Sequence, residues 1–382
     1  MKHVICAGAA LCIAAVPLAA AAQDMGKPTD QLEKNQAAPK KQKPKPQIDK
    51  DGDVSAPWEM RPEEIKDWDE YLEKYSLSCI GPIGKTVKNP MTQEIAGKTW
   101  VFEGFRARVA KGGDPKREIR IGVVSGTKDF VEETQHNLKW FVDEWKKEKV
   151  EMIVIGGDVA YEEEDLKNIV KLLAEPGWPA FVVIGNNDSR GDFNRVIRKL
   201  VKKMPNIINM DLIRVVLGDG LDFVSLPGYY DRKFTRGSSS CTYKDDNVKE
   251  LIPLSEETKY PIFLITHAPP KMDGKNAIDY AFEAGNVGDP LMAEMIGETK
   301  VKFAVMGHII EAGGKATDVK GRVIKQGDWA PQLFVNPGAA QSLPWKLHDG
   351  TTSNGMGAIM YVKAGKAKYR ILIPPKWEKK EE

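Results

Sequence analysis

Three times between residues 119 and 203 the chain repeats one phrase: a short apolar run, then a longer stretch with apolar residues at helical spacing. The apolar runs cover 119–124, 151–155 and 181–184, and the stretches that follow cover 131–149, 166–174 and 193–203. In the first of these, Leu138, Phe141, Val142 and Trp145 share one face. A strand buried on both sides reads as a continuous apolar run, and repeated strand–helix units join parallel neighbours. The chain is therefore expected to be an α/β protein built on a parallel sheet covered by helices. Further apolar runs at 212–217, 223–226, 262–265, 303–306, 333–335, 358–362 and 369–373 favour a second sheet packed against the first, the last two forming a hairpin around Gly365.

The flanks carry other information. Lys2 and His3 precede an apolar run over 4–18, and Ala20-Ala21-Ala22 offers small residues at a cleavage point. Residues 1–22 thus read as a secretory signal peptide, which makes the chain an exported, periplasmic or secreted protein. An uncleaved anchor is the other reading, since the run approaches the length of a membrane span. No later stretch is apolar enough to span. Residues 23–57 are rich in Lys and Pro and are expected to be a disordered linker. Asp49, Asp51 and Asp53 open like a calcium loop, but Val54 and Met60 stand where such a loop needs Gly and Glu. Residues 58–115 form an N-terminal extension, with a helix expected over 62–75 and a strand over 99–110. A charged tail covers 376–382. Beyond the signal segment only Cys79 and Cys241 remain, either as one disulfide or as two buried thiols. With 382 residues and 42% apolar content the chain can bury a large core, and its net charge of +2, without a basic stripe, gives no indication of nucleic-acid binding.

The chemistry-bearing residues sit just after the apolar runs. Gly157-Asp158 follows 151–155, Gly185-Asn186-Asn187-Asp188 follows 181–184, His267 follows 262–265, and Gly307-His308 follows 303–306. Ligands of open α/β sheets collect beyond the carboxyl ends of strands, so these residues can converge on one crevice. Singly each has an ordinary explanation, a helix cap for Asp158, a turn for 185–188, a hydrogen-bonded structural residue for either His. Together their order and strand context agree.

In these segments the chain resembles the calcineurin-like metallophosphoesterase superfamily. The similarity runs over about residues 116–375 and includes Phe334-Val335-Asn336-Pro337-Gly338. The family's segments are Asp-x-His, Gly-Asp, Gly-Asn-His-Asp/Glu, a His after a strand, and Gly-His-x-His. The resemblance implies a four-layered α/β/β/α sandwich over 116–375 and metal-dependent cleavage of phosphomonoesters or phosphodiesters. Two cations about 3.5–4 Å apart clamp the phosphate in such sites and lower the pKa of a bound water.

Carried onto this chain, the resemblance makes Asp158, Asn186, His267 and His308 the ligands of one metal, a mixed oxygen–nitrogen set that suits zinc, manganese or iron. The other metal's set is broken. Gly126 and Lys128 stand at the Asp and His of Asp-x-His, and Ile310 stands at the second His of Gly-His-x-His. Asn187 replaces the His that serves as general acid, and an amide cannot protonate a leaving group. Tyr161 completes Gly-Asp-x-x-Tyr, as in purple acid phosphatases, or is a packed or surface side chain. Asp129 or Glu311 are substitutes only if they swing in. Lys128 either places its ammonium in the emptied half or faces solvent. One divalent metal is expected, not a dinuclear centre. The leading expectation is an impaired enzyme that binds a phosphorylated small molecule, an envelope component or a protein partner, with Lys128 and Asn187 as the candidate catalytic or phosphate-contacting residues. The alternatives are an active single-metal hydrolase and a purely structural envelope protein whose remaining ligands are inherited residues.

Overall fold

The fold was analysed in a computed structural model that describes residues 65–114 and 116–378. The signal-peptide, linker and calcium-loop readings fall outside the described residues, as do the start of the extension and the end of the charged tail.

Side-chain alternation along the apolar runs sorts the core into layers. In the strand Met152–Gly156, Met152 and Val154 point one way and Ile153 and Ile155 the other. Phe181 and Val183 share the first side, Val182 and Ile184 the second. The first side packs against Phe223, Phe263, Ile265, Phe303 and Val305 of a second sheet. Rings of Phe181, Phe223 and Phe263 run through that layer with centroids 4.7 and 5.5 Å apart. The second side is covered by the helices Glu132–Lys147, Glu163–Ala174 and Arg190–Val201, through residues such as Phe141, Trp145, Ile169 and Phe193. The far face of the second sheet, with Leu264, Ala304 and Phe334, packs on Leu251, Leu254, Met292 and Met295 of the helices Leu251–Glu256 and Pro290–Glu298. The layers are helix, sheet, sheet, helix, and the fold is a four-layered α/β/β/α sandwich.

Among the described residues one sheet has six strands, ordered 366–372, 357–363, 119–124, 152–156, 180–183 and 207–209. The last four run parallel, with Ile121 opposite Met152 and Ile153 opposite Ala180. The other sheet has ten strands, and its strands 222–226, 262–266, 301–305 and 333–336 are parallel. Both sheets thus present parallel carboxyl ends, and the crevice between them is where the turn residues gather.

The structure departs from the sequence reading at three places. The hairpin of Gly357–Lys363 and Lys366–Leu372 does not join the second sheet. It pairs antiparallel with Ile119–Val124, Met360 opposite Ile121. The expected strand at 99–110 is two antiparallel strands, Lys98–Phe102 and Arg106–Val109, broken at Gly104, whose φ of 90° no β-branched residue adopts readily. With Met91–Ile95 they extend the ten-stranded sheet. The expected helix from residue 62 starts only at Trp68, because Ile65–Asp67 is a strand and the Asp67 side chain accepts from Glu70 N, capping the helix there.

Cys79 and Cys241 form a disulfide, Cα–Cα 5.9 Å. Among the described residues no helix is long and apolar enough to cross a membrane.

Candidate functional site

Four strands deliver four polar side chains to the crevice. Met152–Gly156 leads into Asp158, Ala180–Val183 into Asn186, Ile262–Thr266 into His267, and Val301–Val305 into His308. Asp158, Asn186 and His267 are at most 3% exposed. Close approach of the turns depends on glycine. A Cβ at Gly157, where φ is 85°, would lie 2.7 Å from His267 Nδ1, and a Cβ at Gly185 would lie 2.3 Å from Asp158 N. Seven described non-glycine residues have positive φ, and three of them are Lys128, Asp158 and His308, at 63°, 53° and 64°. Such backbone costs about 1–3 kcal/mol per residue and persists where the surroundings over-determine it.

Hydrogen bonding sets the chemistry of the pocket. His267 Nδ1 lies 2.8 Å from Gly156 O, a carbonyl that only accepts, so Nδ1 carries a proton. Its Nε2 then faces Asn186 Oδ1 at 2.7 Å and Asp158 Oδ1 at 3.2 Å. Asn186 cannot turn its nitrogen inward without losing the bond that Nδ2 donates to Phe234 O. His308 Nδ1 approaches the same Asn186 Oδ1 at 2.9 Å. Burial, then the neighbouring His267, holds His308 down to about 3, so its ring is neutral. Three acceptor groups of Asp158, Asn186 and His267 therefore crowd one point, and that arrangement calls for an added proton or a cation between them. Asp158 carries the negative charge. Burial raises its carboxyl, but the fields of His267 and Lys128 and two bonds from Asn187 outweigh this and hold it below the usual carboxylate range.

Among the described residues no group of three or more His, Cys, Asp or Glu forms a metal-holding cluster. The convergence here depends on an amide oxygen, that of Asn186, as the point the other groups share. With that oxygen counted, Asp158, Asn186, His267 and His308 fit one cation by donor chemistry: two oxygens and two ring nitrogens. The Gly156 carbonyl behind His267 is the kind of outer partner that fixes a ligand imidazole.

The other side of Asp158 is differently furnished. Its Oδ2 accepts Asn187 Nδ2 at 2.6 Å and lies 4.0 Å from Lys128 Nζ, while Asn187 N donates to Oδ1 at 2.9 Å. The Lys128 side chain is 13% exposed, so its ammonium is turned into the crevice and not to solvent. Asn187 spends its amide nitrogen on Asp158. The turn at 126–128 is laced to the Asp158 loop by Gly126 N to Gly157 O, Lys128 N to Asp158 O and Tyr161 N to Lys128 O. Ile310 opens a short 3-10 turn, Ile310–Ala312. Asp129 accepts from Thr134 Oγ1 at 2.7 Å, and Glu311 from Phe282 N at 3.1 Å, so both carboxylates are engaged outside the pocket. Tyr161 is 40% exposed, with the Arg236 guanidinium 4.6 Å over its ring and Lys128 Nζ 6.0 Å from the same centroid.

Sequence reasoning missed the supports. Buried Asp188 accepts from Val159 N, Ala160 N and Gly185 N at 2.8, 3.1 and 2.7 Å, bracing the Asp158 turn against the Asn186 turn. Burial and the charge of Asp158 push its carboxyl up to about 7. The loop at 229–241 was missed too. It supplies Phe234 O to the Asn186 side chain, Arg236 N to the Asn186 carbonyl, and the Tyr229 ring 4.0 Å from that of His308. Its only local signal was the three aromatics and three basic residues over 229–236.

Comparison with known proteins adds the family. The chain resembles, at the level of fold, TT1561 of Thermus thermophilus, with 14% identity over 66% of this chain and 99% of that one, TM-score 0.46. A dimetal phosphatase from Danio rerio gives 10% identity over 67% and 99%, TM-score 0.42. GAP50, the anchor in the inner membrane complex of Plasmodium, gives 15% identity over 69% and 87%, TM-score 0.44. No curated protein matches the chain. The sequence model described as calcineurin-like phosphoesterase matches residues 120–312, half of the chain and the part that carries all four crevice residues. The chain therefore belongs to the calcineurin-like phosphoesterase family.

Proposed function

We propose that this is an exported calcineurin-like protein that holds one divalent cation and recognises a phosphorylated ligand, with little or no turnover. The observation that carries the reading is the divided carboxylate of Asp158. One oxygen lies 3.2 Å from His267 Nε2, while the other lies 4.0 Å from the Lys128 ammonium. Asp158, Asn186, His267 and His308 would hold the cation, zinc, manganese or iron. A cation bound there supplies Lewis acidity toward a phosphoryl oxygen. Lys128 supplies fixed positive charge where a second cation would otherwise sit. Arg236, stacked on Tyr161, adds a further cation at the rim. Two cationic side chains and a metal suit a phosphate dianion.

What is missing is proton delivery. Asn187 replaces an imidazole, and its amide is committed to Asp158. General acids contribute about 10²–10⁴-fold, so an ester with a poor leaving group should turn over slowly. The ligand is then a phosphorylated small molecule, an envelope component or a phosphorylated site on a protein partner.

Metal analysis of the purified protein, phosphate binding by calorimetry, and assays on p-nitrophenyl phosphate and bis(p-nitrophenyl) phosphate test this. The expected result is one metal per chain and saturable phosphate binding without matching turnover, and a chain that binds no metal would refute the reading. Two tightly held metals per chain would refute it. A second reading, an active single-metal phosphomonoesterase or phosphodiesterase, is favoured by the inward Lys128, which can stabilise charge on a phosphoryl group. Turnover that depends on metal and falls with both Asn186→Ala and Lys128→Ala would decide for that reading.

A further inference from the structure

Away from the crevice, the sandwich has an open edge. The strand Met91–Ile95 ends the ten-stranded sheet, and Ile207–Asn209 ends the six-stranded one. Between these strands and the helices Trp68–Lys74 and Arg190–Val201 lies a cavity of about 370 Å³. It lies within the size range of small-molecule pockets, about 300–1,000 Å³. None of the crevice residues lines it.

Its interior is apolar, formed by Trp68, Leu72, Met91, Phe102, Leu212 and Ile213. Two polar atoms in its walls are unmatched. Trp68 and Asn194 are 6% and 5% exposed, and the Trp68 Nε1 donor and Asn194 Oδ1 acceptor have no hydrogen-bond partner among the described residues. Asn194 Nδ2 donates to Ser78 O at 3.1 Å, which leaves Oδ1 as the spare end. Both atoms are closed off from the cavity space, so they place no demand on its occupant, which is set by the lining and the rim.

The rim is basic. Arg198 and Lys202 line the cavity, four residues apart on one helical face, against a single lining carboxylate, Asp69. The Arg198 contact to Glu73 is 3.9 Å, at a Glu side chain 78% exposed, and is worth little against solvent. A neighbouring depression shares Asn194, Arg198 and Lys202 with the cavity and adds Arg195 and Lys199, but these two already pair with Glu163 and Asp192, so the cationic rim rests on Arg198 and Lys202. Apolar depth under a cationic rim matches a molecule with an apolar tail and an anionic head.

We propose that this pocket binds a single-chain anionic amphiphile, a fatty-acid carboxylate. The chain lies among Trp68, Leu72 and Phe102, and the carboxylate meets Arg198 and Lys202. The site is independent of the cation half-site, so either reading can fail without the other.

Calorimetry on the full chain tests it, with decanoate as the probe and decanol and decyltrimethylammonium as controls. Decanoate is expected to bind saturably at one per chain, at least tenfold tighter than either control. The double variant Arg198→Gln with Lys202→Gln should weaken it about tenfold with melting temperature and metal content unchanged. Leu72→Trp, which fills the cavity, should abolish it. If that variant misfolds, the Gln pair still decides, because both residues are at the surface. Absence of saturable binding, equal binding of the controls, or an unaffected Gln variant would overturn the proposal. Decanoate binding that emerges only after Trp58→Ala or Met60→Ala would assign the pocket to the chain's own preceding segment and overturn it as well.

Discussion

The two oxygens of Asp158 open onto two differently built half-sites. Toward Oδ1 lie His267, Asn186 and His308, each delivered by its own strand and each fixed by a second bond or stack: Gly156 O behind His267, Phe234 O behind Asn186, Tyr229 against His308. Toward Oδ2 lie the Asn187 side chain and Lys128, both tied to the Asp158 loop itself, while the Asn187 backbone N–H reaches Oδ1. The first half brings separate elements to one point. The second is short-range and brings its own positive charge. A long side chain with a fixed charge can occupy a place for which a metal would need several ligands, and its charge opposes a cation there.

The comparison breaks most directly at His267. His267→Ala should remove metal binding and cost about 3 kcal/mol of stability, since it leaves buried acceptors unpaired. Metal analysis and urea unfolding read both effects, and full metal content in this variant would end the half-site account. The triple variant Gly126→Asp, Lys128→His, Ile310→His should raise metal content from one to two per chain. Its stability should fall by about 1–2 kcal/mol because Gly126 has φ 60°. A folded triple variant with unchanged stoichiometry would show that the two halves do not differ in the way described. Lys128→Gln should act with opposite signs on two measurements. Metal affinity should rise about tenfold as repulsion is removed. The metal-free protein should lose about 1–3 kcal/mol as Asp158 loses a buried neighbour of opposite charge. A smaller effect is expected at the rim. Arg236→Ala should weaken phosphate binding about three- to tenfold and leave metal content alone, since an exposed cation contributes at most about 1 kcal/mol.

How far this could be read beforehand differs between the regions. The strand–helix repeats were legible because each element carries its own pattern. The run at 119–124 is the observed strand, and the helix expected over 131–149 is observed at Glu132–Lys147. The four crevice residues were legible because each follows an apolar run. Other features are non-local and leave no local mark. Nothing in 357–372 states that the hairpin will cross to the first sheet. Phe234 meets Asn186 through a backbone carbonyl, 48 residues along the chain, and any residue type offers one. The short strands Lys315–Thr317 and Val323–Ile324 are held by pairing more than by their own sequence. The helix Pro290–Glu298 was legible in principle, from Asp289 as cap and Pro290 at its first position.

The bond between Cys79 and Cys241 reaches further than the 162 residues it encloses. Just inside it the chain is stitched down twice, Tyr229 N to Cys241 O and Gly228 N to Ile184 O. From that anchored base rises the loop whose Phe234 carbonyl keeps the Asn186 amide from turning over. Enclosing so long a stretch restrains the unfolded chain by about 5 kcal/mol in the chain-entropy view. A reductant acting on these sulfurs would slacken the loop, and a flipped amide would offer nitrogen where a cation needs oxygen. The latch thus ties the orientation of the Asn186 amide to thiol chemistry some way from the crevice.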